Sequence, residues 1–391
     1  MKKILACLLI VVLLCSLSIM LFSCDADELK KLEYIDANGE VATVNVKKTA
    51  DADKVTAAIC GLASKPVDTT NLTSAMISLS AGLNISGTQN DQAFTSNATI
   101  GATVGLGIPA TIAEDATFVS VMDAIKLYAD ISLIGNVPKN YATLFDDDSD
   151  EVPNFSELVD LNESAKVYFE NNVIYAKGTV SNETLSIVPQ LAMFSGLFNG
   201  EATKLDIAPL LEWLPLLNKE LPENIIGAIN SVHDQNNSYK KYYESLNSDD
   251  KEEGEDAAEE SFDFAYADVK VLVEAFNIRI TKTKGSVATF AATITPESFN
   301  KINEAFKDKD WYEPFEAEDM EGTIAVELSI DAKTMLDISL QVTIQNALAF
   351  SDTESKTNVT SSTIALTASI STTTPIPTLS QEEKDAATPM A

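Results

Sequence analysis

In residues 75–85 and again in 98–108 hydrophobicity alternates with a period of two, and that pattern commits both segments to long β-strands. In 75–85 the odd positions are apolar: Ala75, Ile77, Leu79, Ala81, Leu83 and Ile85. In 98–108 the even positions are apolar: Ala98, Ile100, Ala102, Val104, Leu106 and Ile108. Apart from Met76, small or polar residues fill the positions between, so each strand has one face suited to burial and one suited to water. Gly87-Thr88-Gln89-Asn90-Asp91 reads as the turn between them, and Leu127, Ala129, Ile131 and Leu133 repeat the alternation. Two hairpins are signalled locally, by Asn38-Gly39 and by Asn171-Asn172, because Asn and Gly accept the positive φ that tight turns require.

The second half returns to the same period. Val269, Val271, Val273 and Ala275 are in phase, and Ile278 and Ile280 are shifted by one, which reads as a strand with a bulge near Phe276. Gly285 turns the chain into 287–294. Ile324 to Ile330, a turn at Asp331-Ala332-Lys333, Ile338 to Ile344 and Ile364 to Ile370 supply three further strands. Helices are expected at Asp51–Ala63, capped by Asp51 or Asp53, with Val55, Ile59, Leu62 and Ala63 on one face, ending before Pro66. Another opens at Thr295-Pro296-Glu297, with Phe299, Ile302 and Phe306 inward. Residues 185–232 read as short apolar helices interrupted at Pro189, Pro209, Pro215 and Pro222. The fold class is therefore α+β and mainly antiparallel β, without the βαβ alternation of parallel-sheet proteins.

At the N-terminus Lys2 and Lys3 precede an apolar run from Ile4 to Phe22, the pattern of an export signal. Leu21-Phe22-Ser23-Cys24 resembles the lipobox of bacterial lipoproteins, with Phe22 where a small residue is usual. The resemblance implies a signal peptide at 1–23 and a Cys24 that is acylated and becomes the new terminus. Two or three acyl chains on one cysteine would hold the chain at a cell membrane from its extracytoplasmic side, where one chain alone binds marginally.

The net charge is −32, and a signal at 1–23 carries away two lysines and no acid, so the remainder is more acidic still. That excludes nucleic acid as a partner and leaves a cationic envelope component as the electrostatic alternative. With Cys7 and Cys15 in the signal and Cys24 acylated, Cys60 stands alone, so no disulfide framework is expected. Cys60, in VTAAICGLA, reads as a small buried hydrophobe.

The order of elements resembles the LolA/LolB and LppX/LprG type of lipoprotein. GSVATFAATITPESFNKINEAF is similar to its strand-then-helix step, GTIAVELSIDAKTMLDISLQVTI to the hairpin that follows, and AKVYFENNVIYAKG to its central hairpin. The resemblance implies a curved half-barrel-like sheet with helices in the concave face and a hydrophobic cavity that holds a lipid or acyl chain. The chain then divides into 24–66, an N-terminal tether, hairpin and helix; 67–380, the LolA-like domain, in which an acidic insertion at about 246–263 departs from the family's pattern; and 381–391, a flexible tail. Met193, Phe194, Leu197, Phe198, Leu211, Trp213 and Leu214 are then the candidate pocket lining. A fit tight enough to leave only a packed core, in an interaction or structural lipoprotein, is the alternative.

Catalytic and metal chemistry find no support. His233 is the only histidine, which rules out a His-ligated zinc site and leaves any triad dependent on one loop residue. There is no GxSxG, P-loop or GxGxxG. Asp146, Asp148, Asp150 and Glu157 have the spacing of a calcium loop, but Glu151 replaces the glycine its sharp turn needs. No enzyme activity, cofactor or metal is expected.

Overall fold

The computed structural model describes residues 32–63, 72–109, 111–140, 153–181, 184, 198–209, 226, 230, 265–309, 323–332, 335–346, 351–352 and 356–390. Cys24, the acidic run 249–263, the aspartate loop 146–151, His233 and most of 185–232 lie outside them. The described residues form an α+β protein whose strands are mostly antiparallel and whose sheet is not closed. The chain divides into two compact units, 1–72 with 231–342, and 73–230 with 343–391.

In the first unit β1 (Leu32–Ile35) and β2 (Val41–Val44) pair through a five-residue turn whose Gly39 has φ +80°. Asp36 ties that turn by accepting hydrogen bonds from the backbone N–H groups of Asn38 and Glu40. Helix α1 (Ala52–Ala63) follows, with the Asp51 side chain accepting from the Lys54 amide. Val55, Ala57, Ala58 and Leu62 are its most buried apolar positions, and Ile59 is partly buried against the core they join. Gly61 lies so close to β1 that a Cβ there would be 2.7 Å from the Leu32 Cβ.

Residues 266–275, expected as a strand, form helix α3 (Tyr266–Ala275). α2, which the sequence reading missed, is the short helix Phe118–Ala124, closed by a Thr117–Ser120 capping box. The reason for α3 is that Val269 and Val273 share a face at a spacing of four as well as of two. They join Val55, Ala58, Leu62 and Ile280 in one core, while Val271 and Leu272 pack with Ile302 and Phe306. Strands β9 (Arg279–Lys284), β10 (Val287–Ile294), β11 (Thr323–Asp331) and β12 (Ile338–Gln345) then lie side by side, and the unit boundary falls within β12. Gly285, at φ +60°, makes the turn into β10. Helix α4 (Pro296–Phe306) has Pro at its first position and buries Phe299, Ile302 and Phe306, as the sequence indicates.

The second unit is built on β3 (Ser74–Gln89) and β4 (Gln92–Gly107), which run longer than the apolar alternation. Their turn is the pair Asn90-Asp91, both at positive φ, and Gly87 to Gln89 belong to β3. β5 (Lys126–Pro138), β6 (Leu158–Glu170), β7 (Val173–Thr179) and β8 (Thr203–Asp206) follow on one side, with Asn171-Asn172 at positive φ between β6 and β7. The small strand β13 (Ser351–Asp352) pairs with β14 (Thr357–Ser371), which completes the other side by pairing with β3.

The tail was expected to be loosely held, and the structure corrects this. Helix α5 (Gln381–Ala386) has a Ser380–Glu383 capping box, and β15 (Thr388–Pro389) pairs parallel with β8. Leu379 and Ala387 are buried with Tyr128, Tyr168 and Tyr175, and Ile376 and Met76 pack against them. Glycine makes the room: a Cβ at Gly105 or Gly107 would meet the Ile376 side chain at 3.0 or 3.3 Å.

Candidate functional site

Register places the apolar positions of the second unit on one face of its sheet, in rows that cross the strands. One row is Ile370, Ile77, Val104, Ala129, Val167 and Ala176. The next is Ala368, Leu79, Ala102, Ile131, Ala165 and Gly178. A third is Leu366, Ala81, Ile100, Leu133 and Glu163. Ile364, Leu83, Ala98, Gly135 and Leu161 flank them on one side, and Ala75, Leu106, Leu127, Phe169, Ile174 and Leu205 on the other.

Among the described residues this face is not covered as a core would be. Ile77, Leu79, Ile100 and Val104 are 49%, 54%, 54% and 57% exposed, and Leu106, Leu127, Ile131 and Leu205 are exposed as well. The alternation suggests the reverse, an apolar face buried and a polar one wet. In the structure the small and polar face carries the tail, and among the described residues nothing closes over the middle of the apolar face. Isolated exposed aliphatics are ordinary, but a contiguous patch on adjacent strands marks a surface that meets something apolar.

Toward the β3–β4 turn the same face closes. Val137 and Leu161 are buried with Leu133, Ala98 and Val159 around them. Beyond, Ile85, Phe94, Phe155 and Val359 form another buried cluster, with the Phe94 and Phe155 rings stacked at 4.1 Å. A cleft of 320 Å³ opens there beside Gln89, Gln92, Phe94 and Phe155.

Glu163 stands where the open and closed parts meet. It is the only charged side chain in the five rows and is 7% exposed. Among the described residues its Oε2 has no hydrogen-bond partner. A second polar cleft, of 520 Å³, lies in the first unit beside Tyr34, Lys47, Lys48 and Tyr266, the two rings stacked at 5.8 Å.

Of the pocket residues named from sequence, Phe198 is described and is buried at 8% exposure. Its carbonyl accepts from the Val180 amide, next to the Thr179–Asn199 bridge. Met193, Phe194, Leu197, Leu211, Trp213 and Leu214 lie outside the described residues. Cys60 is half-buried on α1, and burial pushes its thiol up to about 11, which makes it a poor nucleophile.

The Tyr128 hydroxyl donates to Asp130 Oδ2 at 3.0 Å; burial, and then this bond, raise its pKa. Among the described residues no group of three or more His, Cys, Asp or Glu is placed to hold a metal, and no helix is long and apolar enough to cross a membrane.

Sequence reasoning identified the strands of this face but not its exposure, since alternation tells which residues share a side and not what lies over that side. The class defined by fold and site is an open, mainly antiparallel α+β protein with an exposed apolar sheet face. No protein-family model matches the chain, and no curated protein matches it.

Proposed function

We propose that the protein is a lipid-anchored extracytoplasmic lipoprotein, held at the membrane by an acylated Cys24, whose second unit binds a lipid or acyl chain without catalysis. The observation that carries this reading is the exposed apolar face of β3, β4 and β5, which offers aliphatic side chains several rows deep and wide. An acyl chain laid on such a face gains roughly 0.8 kcal/mol for each methylene removed from water.

A half-barrel sheet with helices in its concave face fits the same reading. Gly87, Gly135 and Gly178 all belong to the apolar face, and at each a Cβ would come within 2.2 Å of a neighbouring strand's carbonyl oxygen. Glycines of this kind accompany tight bends in sheets.

Native mass spectrometry of the protein extracted from membranes tests the binding. The expected result is a non-covalent lipid adduct, beyond the mass of the acylated chain, that survives extraction; the acylated chain with no further adduct, whatever the detergent, overturns the carrier reading and favours an interaction protein. The anchor is tested separately. Cys24→Ala is expected to lose metabolic labelling by an alkyne fatty acid; labelling that persists overturns the anchor.

A further inference from the structure

Glu163 deepens the functional reading and rests on it. We propose that this carboxylate is the headgroup contact of the apolar face, and that the ligand is an amphiphile carrying a protonated amine beside its hydrocarbon chain.

The argument begins with what a carboxylate costs in this position. Glu163 closes the row Leu366, Ala81, Ile100, Leu133, so its cross-strand neighbour is a leucine and the flanking residues on its own strand face are Leu161 and Ala165. It is more than nine-tenths buried, and Oε2 has no hydrogen-bond partner among the described residues. Burying a charge or an unsatisfied polar atom is among the larger penalties in a folded chain. The other orphan carboxylate oxygens do not stand in the same way: Asp130 has Lys166 at 3.7 Å and Glu170 has Lys384 at 2.7 Å. Glu163 appears in no ion pair among the described residues. Such a group, kept on an otherwise uncharged face, suits a partner that arrives from outside.

Position and charge then select the partner. Glu163 lies at the border between the exposed residues Ile100 and Ile131 and the buried pair Val137 and Leu161. A hydrocarbon chain on the exposed rows would bring its polar end to that border. A carboxylate acceptor calls for a donor, and an ammonium supplies both hydrogen bonds and compensating charge in a site of low polarity. The whole chain, at −32, raises the local concentration of cationic amphiphiles and repels anionic ones.

The test is native mass spectrometry of the full chain released from detergent micelles, titrated with dodecylamine and with 1-dodecanol. The two probes share a chain length and differ in the head. The wild-type chain is expected to take up dodecylamine at least tenfold more tightly than dodecanol. Glu163→Gln, which keeps the shape and removes the charge, is expected to bring that ratio near one while dodecanol binding stays the same. Equal binding of the two probes by the wild-type chain, a comparison that needs no variant to fold, overturns the proposal, as does a ratio that survives in E163Q. Binding of neither probe overturns the apolar-face reading beneath it.

Discussion

Gly178 has no room for a side chain. A Cβ there would lie 1.9 Å from the Ser164 carbonyl oxygen and 2.8 Å from its carbon, both backbone atoms that cannot swing aside. The constraint is steric and belongs to the pairing of β6 with β7. It differs from that at Gly39, where φ is +80° and nothing lies within 4 Å. Gly178→Ala is expected to lower stability by about 3 kcal/mol through forced separation of the two strands. Chemical denaturation measures it, and an unchanged midpoint would show that the strands part there at little cost. At the same scale, the buried carboxylates of Glu163 and Glu170 look alike in sequence, both in the mixed-polarity strand β6. Their surroundings separate them: Glu170 meets Lys384, and Glu163 meets leucine.

The C-terminal element shows how few contacts decide whether a segment is a tail or part of a fold. Lys384 on α5 sits 2.7 Å from Glu170, and both side chains are largely buried. Lys384→Ala strips the cation from a buried carboxylate and is expected to cost about 3 kcal/mol, with much of the loss recovered in the double variant E170Q/K384M. Thermal unfolding checks both.

Glu383 on the same helix is held by Lys177 at 2.6 Å and then by Ser380, which draw its carboxyl down from 4.5 to about 2. A depressed folded-state pKa means this pairing contributes fully above pH 4.5 and is lost as pH falls through about 2. The protection factors of the 384–390 amides, taken relative to the intrinsic exchange rate at each pH, are expected to fall across that window; protection that holds below pH 2 would contradict the assignment. Helix α3 makes the complementary point. Its C-terminus is closed by Asn277 at φ +49°, with the Ile278 amide bonded to the Val273 carbonyl and the Asn277 amide to that of Glu274. The phase shift near Phe276, which reads as a bulge, is this cap, and Asn277 was its sequence signal.

For the molecule as a whole the exposed apolar face is the feature with consequences. Leu79→Glu with Val104→Glu places two charges on it at positions already more than half exposed. The pair is expected to change stability by less than about 1 kcal/mol, since surface substitutions usually do little, and to abolish the lipid adduct. An adduct that persists would move the binding surface elsewhere.

Period-two hydrophobicity was enough to fix the long strands β3, β4, β5, β11, β12 and β14 and which of their residues share a side, because alternation is a local property of the extended chain. Asn171-Asn172, Gly285 and Thr295-Pro296 likewise announced their turns and cap through backbone preferences of single residues. Other outcomes required the assembled structure: the helical state of 266–275, the docking of 374–390 on the glycine floor of β4, and the exposure of the apolar side. Each depends on what a distant segment presents, such as Val55 and Leu62 to Val273, or Ile376 to Gly105. Burial is a property of pairs of surfaces, and one strand's own pattern carries only half of each pair.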